Sequence, residues 1–225
     1  MFSGRLWELF IDSFPKILIP GLAQTIPLTV IAFSLALVIA IVVALVQFAN
    51  IKGLKQIARF YIWIFRGTPL LVQLYIGFFG LTRVGIILEP FTAAVIVFAL
   101  NEGAYCAETI RASLESVPTG QLEAGQCAGL SYLQTIFRIV LPQAMRTAVP
   151  SLGNSLISML KDTSLASSIT VTEMLRTSQQ IVARTYEALL LYCEVALIYL
   201  IFTTVLTKVQ SVVEKKLSYY GRKEG

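Results

Sequence analysis

Ionisable and amide side chains interrupt the apolar stretches of this chain at a few positions, and those positions are where chemistry could occur. In the stretch 91–112, Asn101, Tyr105 and Glu108 stand at i, i+4 and i+7. On a helix they share one face, with Glu102 beside it. A second apolar stretch carries Lys161 and Asp162, and a third carries Arg66 followed by Gly67, Thr68 and Pro69. Charges in such surroundings normally face a cavity or a partner. Catalytic chemistry finds little support. There is no histidine, and Cys106, Cys127 and Cys193 match no metal or redox spacing, so they read as packing residues. No phosphate loop of the form G-x-x-x-x-G-K-[ST] occurs.

The elements that position these residues follow from composition. Hydrophobic residues make up 56% of the 225 and charged residues 14%, well below the roughly 25% of soluble domains. The solvent is therefore lipid. Between Lys16 and Lys52 lie 35 residues without a charge, more than the roughly 20 that cross a bilayer. The chain reads as one transmembrane domain over 1–225, an all-α integral membrane protein. Five transmembrane helices are expected near 22–48, 61–82, 91–112, 149–171 and 188–209, with a cytoplasmic loop at 113–145.

Lysine and arginine set the orientation. Lys52, Lys55 and Arg59, then Arg111, Arg138 and Arg146, then Lys208, Lys215, Lys216, Arg222 and Lys223 place eleven bases on one side. Arg5, Lys16, Arg83, Arg176 and Arg184 place five on the other. The N-terminus is outside and the C-terminus cytoplasmic, and the net charge of +5 reflects cytoplasmic loops rather than nucleic-acid binding. Residues 3–20 read as an amphipathic segment on the outer surface, with Trp7, Phe10 and Phe14 at headgroup level. No cleavable signal peptide is expected, because the first residues lack a basic region and Glu8 and Asp12 interrupt them.

The segment from Glu123 to Pro142 is too polar to span and too patterned to be an irregular loop. Thr119 is expected to cap a short helix, near 119–130, with Glu123 in its first turn. That helix presents Ala124, Gly125, Ala128 and Gly129, small residues that let another surface approach. Ser131 and Gln134 have capping-box spacing and open a second helix, which Pro142 helps to end.

Glu123, Ala124, Gly129, Ile139, Leu141 and Pro142 fall in register with the pattern E-A-A-x3-G-x9-I-x-L-P, Gly125 standing at the second alanine. The segment thereby resembles the cytoplasmic signature of ATP-binding-cassette importer permeases. Three further runs resemble the polar amino-acid branch of that family: Arg66-Gly-Thr-Pro-Leu-Leu-Val-Gln, Gly103-Ala-Tyr-Cys-Ala-Glu-Thr-Ile-Arg, and Leu160-Lys-Asp-Thr-Ser-Leu. The resemblance implies a cytoplasmic-membrane subunit, without an ATPase site, that imports a polar amino acid by alternating access. It implies two permease copies, a homodimer being preferred, each docked through its coupling helix to an ATPase that binds ATP and Mg. It also implies an external solute-binding protein.

For a zwitterionic substrate, Glu102 is the first candidate for the ammonium, assisted by Asn101 and Tyr105. Lys161 is a weaker candidate for the carboxylate. Glu102 lies about 16 Å along its helix from Phe91, and Lys161 about 16 Å from Pro150, both near mid-depth. Alternatives stay open at this point. Lys161 and Asp162 can neutralise each other or hold a dimer interface, Glu108 and Arg111 can be structural or gating groups, and Arg66 can meet substrate or backbone carbonyls at a helix break with Thr68. Glu194 is expected to face protein. The runs Arg59-Phe-Tyr-Ile-Trp-Ile-Phe-Arg-Gly-Thr-Pro and 184–206 look most like cystine permeases, while Glu102 equally suits a basic amino acid. A secondary transporter driven by an ion gradient, with Glu102 and Glu108 as ligands, is the rival reading. A channel or membrane-anchored assembly factor and an exporter component are further ones.

Overall fold

A computed structural model describes residues 4–49 and 52–222, with side chains described as far as residue 216. Lys223, counted above among the cytoplasmic bases, and Ser3, counted in the amphipathic segment, lie outside the described residues. Helices and turns account for all described secondary structure, with no strand among the described residues. Three helical runs are long and apolar enough to cross a membrane, or four if a bent pair is taken as one span.

The first run is α1 (Gly4–Pro20), a π-helical turn at Gly21–Thr25, and α2 (Ile26–Phe48), together a 45-residue span candidate. The expected separate segment at 3–20 is thus continuous with the first span. Asp12 and Lys16 do not prevent this, because they pair at i, i+4 with Nζ 2.6 Å from the carboxylate on an exposed face. Pro27 could end the helix but does not. The N–H of Ile26 just before it reaches back to the Gly21 carbonyl, shifting the ladder by one residue where proline removes a donor.

The second expected span is not straight. α3 (Leu54–Gly67) and α4 (Leu70–Tyr75, prolonged by a π-helical turn at Ile76–Gly80) meet at a break where the chain turns by 105°. Pro69 is extended there, at ψ 135°. α5 (Pro90–Glu115) starts on a proline at its first position, where the absent N–H costs nothing.

A short hairpin follows, made of α6 (Thr119–Cys127) and α7 (Tyr132–Thr135). A π-helical turn at Ile136–Val140 then leads into α8 (Leu141–Asp162). Pro142 therefore does not end the second helix. Leu141 donates to the Ile136 carbonyl, the same re-registration seen before Pro27. A 3₁₀ segment (Thr163–Ile169), α9 (Met174–Thr185) and α10 (Ala188–Arg222) complete the chain. The expected span at 149–171 is displaced to α8, which is not among the runs apolar enough to cross.

These stretches group into two compact units. One draws on Met1–Ser34, Thr68–Ala99 and Leu156–Leu206. Its core is Ile17, Met174, Leu191, Val195 and Ile198, with Phe14, Leu18 and Phe202 packed on it. Gly21 has no room for a side chain, since a Cβ would lie 2.6 Å from the Met174 sulfur. Glu194 is only 1% exposed and not isolated, because Ser13 Oγ donates to its Oε2 at 2.7 Å. Glu173, also buried, accepts from the backbone N–H of Leu175 and Arg176 at the start of α9 and from the Tyr199 hydroxyl.

The other unit draws on Leu35–Gly67, Leu100–Ser155 and Thr207–Gly225. Here Gly103 lets α5 come close to Tyr61 and Ile39, where a Cβ would meet atoms at 3.0 and 3.1 Å.

Candidate functional site

The polar face expected on α5 exists and is turned to the end of α3. In a continuous helix the carbonyl of Phe65 would accept the N–H of residue 69, which is proline and has none. Asn101 Nδ2 donates to the Phe65 carbonyl at 3.1 Å. One turn earlier on α3, the Tyr61 hydroxyl donates to the Leu100 carbonyl. The break is held from its far side too, as Gln73 Nε2 donates to Thr68 O at 3.1 Å and Thr68 Oγ1 at 2.8 Å. Arg66, Gly67, Thr68 and Pro69 thus form a defined break, as their order suggested.

Arg66 points at α5. Its guanidinium lies 5.2 Å from the centre of the Tyr105 ring and 3.5 Å from Glu108 Oε2. Glu108 is held more tightly by Arg111, which donates from Nε and Nη2 to its two oxygens at 3.0 Å each. Gln47 adds a longer contact at 3.3 Å. Arg111 also binds Glu115 one turn on. Glu108 is therefore the centre of an ion-pair network, with two arginines and an amide around it. Arg66 and Arg111 both reach this carboxylate. The partners of Arg66 are an aromatic face and a carboxylate.

Glu102 stands off this face. It is half-buried, and Cys106 Sγ donates to its Oε1 at 3.5 Å. Lys161 and Asp162 belong to the other unit, at the C-terminal end of α8, where Lys161 is favoured by the helix dipole. They form no ion pair with each other among the described residues. Adjacent positions on a helix do not face one another, which keeps their side chains from a close contact.

The hairpin differs in detail from its expected form. Thr119 is the first helical residue rather than the cap; Pro118, at ψ 136°, precedes it with no side-chain cap bond. Glu123 consequently lies beyond the first turn. α6 is closed by a Schellman arrangement in which Gly129 takes φ 77°, Leu130 N–H bonds to Gly125 O and Gly129 N–H to Gln126 O. The expected capping box is present: Ser131 accepts from Gln134 N–H, and Gln134 accepts from Ser131 N–H at 2.9 Å.

Two of the small residues thereby serve the hairpin itself. Gly129 supplies a left-handed conformation. Gly125 is buried against Thr135, whose Oγ1 lies 2.7 Å from where a Cβ would stand. Glu123, Ala124 and Ala128 remain exposed, with Tyr132, Leu133 and Phe137 exposed after them. The outcome is a capped, closely packed hairpin with a small-residue patch beside an apolar one.

Sequence reasoning missed Gln47 and Tyr61. Gln47 had a signal, as one of the few amides in a 35-residue uncharged run. Tyr61 had none, because its role depends on the carbonyl of α5 that it reaches.

Comparison with known proteins agrees with these observations. Residues 36–219 match the family described as binding-protein-dependent transport system inner membrane component. The chain is 45% identical over 218 residues to the L-cystine transport system permease protein TcyB of Bacillus subtilis (strain 168), covering 96% of this chain and 93% of that one. It is 39% identical to TcyL, an L-cystine transport system permease protein of the same organism, over 88% of each chain. A solved structure of an amino acid ABC transporter with histidines superposes with a TM-score of 0.86 at 35% identity, covering 92% of this chain and 97% of that one.

Proposed function

Because the chain belongs to the family of binding-protein-dependent transport system inner membrane components, we propose that it is the permease subunit of an ATP-driven amino-acid importer. The observation that carries this reading is the α6–α7 hairpin. Its signature residues build an exposed, capped knob that suits the groove of a partner ATPase. Glu123, Ala124, Gly125, Ala128 and Gly129 are its coupling residues, two by exposure or charge and two by backbone geometry, with Ala128 completing the exposed patch. The ATPase supplies ATP and Mg binding, an external binding protein delivers substrate, and a second copy of this chain completes the pathway.

Five crossings, with α3–α4 as one broken span and α8 as the fourth, give the expected outside N-terminus and cytoplasmic C-terminus. Lys and Arg distribution supports that orientation in the cytoplasmic membrane. Transport is by alternating access, and the substrate undergoes no chemistry.

Cystine is the favoured substrate, supported by the likeness to TcyB; a basic amino acid comes next. Glu102, a half-buried carboxylate midway along α5, is the proposed contact for the substrate ammonium. Asn101, Tyr105 and Arg66 act beside it by holding the α3 break and its cation in place. Thr68, Lys161 and Asp162 are proposed pathway residues of their own unit. The ion-gradient alternative has no observation in its favour.

The test is uptake into proteoliposomes that hold this chain and its ATPase, with binding protein outside. Labelled cystine, arginine, histidine, glutamine and glutamate are each offered with and without internal ATP. Uptake of cystine only with ATP is expected. Accumulation driven by an ion gradient without ATP would overturn the importer reading.

A further inference from the structure

A cleft of about 330 Å³ opens within the second unit. It is lined by Gln47, Lys55, Arg59, Trp63, Glu108 and Arg111, with Ile62 and Glu115 completing the wall. Three cations and two carboxylates face it. Both carboxylates are already bound to Arg111, and Glu108 also has Arg66. Counted by side chain, the lining carries more positive than negative charge. Lys55 and Arg59 stand one turn apart there, and Arg59 makes no ion pair among the described residues.

The surroundings are those of a membrane surface. Trp63, one turn beyond Arg59, is 71% exposed at the mouth of the cleft. Leu54, Ile57 and Phe60 are exposed along the neighbouring face of α3. A tryptophan and aliphatic stripe beside two bases is the arrangement that seats an acyl chain below a phosphate. On the orientation proposed above, this end of α3 lies at the cytoplasmic leaflet, where anionic lipids collect.

We propose that the cleft formed by α3 and the ends of α2 and α5 binds the phosphate headgroup of an anionic phospholipid, with Lys55 and Arg59 as its charge partners and Trp63 against its glycerol and upper acyl chain. The site is distinct from any substrate contact at Glu102. Lipid bound there would brace α3, the helix that carries Arg66 to Glu108.

The experiment reads Trp63 directly and needs no transport, so its failure is separable from failure of the importer reading. Full-length chain carrying Trp7→Phe is reconstituted in phosphatidylcholine bilayers. Brominated-chain phosphatidylglycerol or brominated-chain phosphatidylcholine is then added as quencher. A preference of about thirtyfold for the anionic lipid is expected from two bases near the headgroup. Lys55→Gln with Arg59→Gln should abolish the preference, while Lys55→Arg with Arg59→Lys should retain it, which separates charge from folding. Equal quenching by both lipids, or a preference that survives the double glutamine change, would overturn the proposal. Displacement of the quencher by millimolar inorganic phosphate would also overturn it, because the site would then be one for free anions.

Discussion

Asn101 shows how a single amide can be committed by a proline 32 positions earlier in the chain. Pro69 removes the donor for Phe65 O, and Asn101 replaces it. Asn101→Leu fits the volume but removes the amide's hydrogen bond to the Phe65 carbonyl, a loss of about 0.5–1.5 kcal/mol. A thermal unfolding scan of the purified chain should show that loss, and Asn101→Asp should not restore it, since a carboxylate cannot donate. Glu108 is the other residue with a defined outcome. Glu108→Gln leaves Arg111 and Arg66 facing an amide in place of the carboxylate. Loss of ATP-driven uptake is expected at least as large as the loss of stability, and paired uptake and unfolding measurements check both.

The α6–α7 hairpin sets the terms for predictions about elements. Gly129 at φ 77° tolerates no other residue freely, so Gly129→Ala should destabilise by about 1 kcal/mol. Gly125→Val meets Thr135 and should separate the two helices. Both changes are expected to lower the ATPase activity that the permease stimulates in its partner. Glu123→Lys is different in kind, because Glu123 is exposed and makes no contact that holds the hairpin. It should leave the fold intact and disconnect ATP hydrolysis from transport. Unchanged ATP-driven uptake in that variant would remove its coupling role.

For the whole molecule the first question is orientation. Cys127 is exposed on the hairpin, Cys106 is buried, and Cys193 is exposed on α10. In a Cys193→Ser background, a membrane-impermeant maleimide should label Cys127 only after cells are opened. Labelling of intact cells would reverse the topology.

Much of this molecule was determined by its sequence alone. The long uncharged run, the patterned loop with its capping box and the Arg66–Pro69 break depend on neighbours a few residues apart, and local propensity decides them. Gly129 also belongs here, because a Schellman closure is written in six residues, 125–130. Other features were decided only by tertiary structure. Pro27 and Pro142 look like stops, yet the helical runs pass through them. The π-helical turns re-register the ladder, and packing against other segments holds them. Ser13 finds Glu194 across 181 positions, and Asn101 finds Phe65 across 36. Lys161 and Asp162, adjacent in sequence, form no salt bridge with each other among the described residues. A buried polar group takes whichever partner folding brings within about 3 Å, and that distance is set by the packing of helices far apart in the chain.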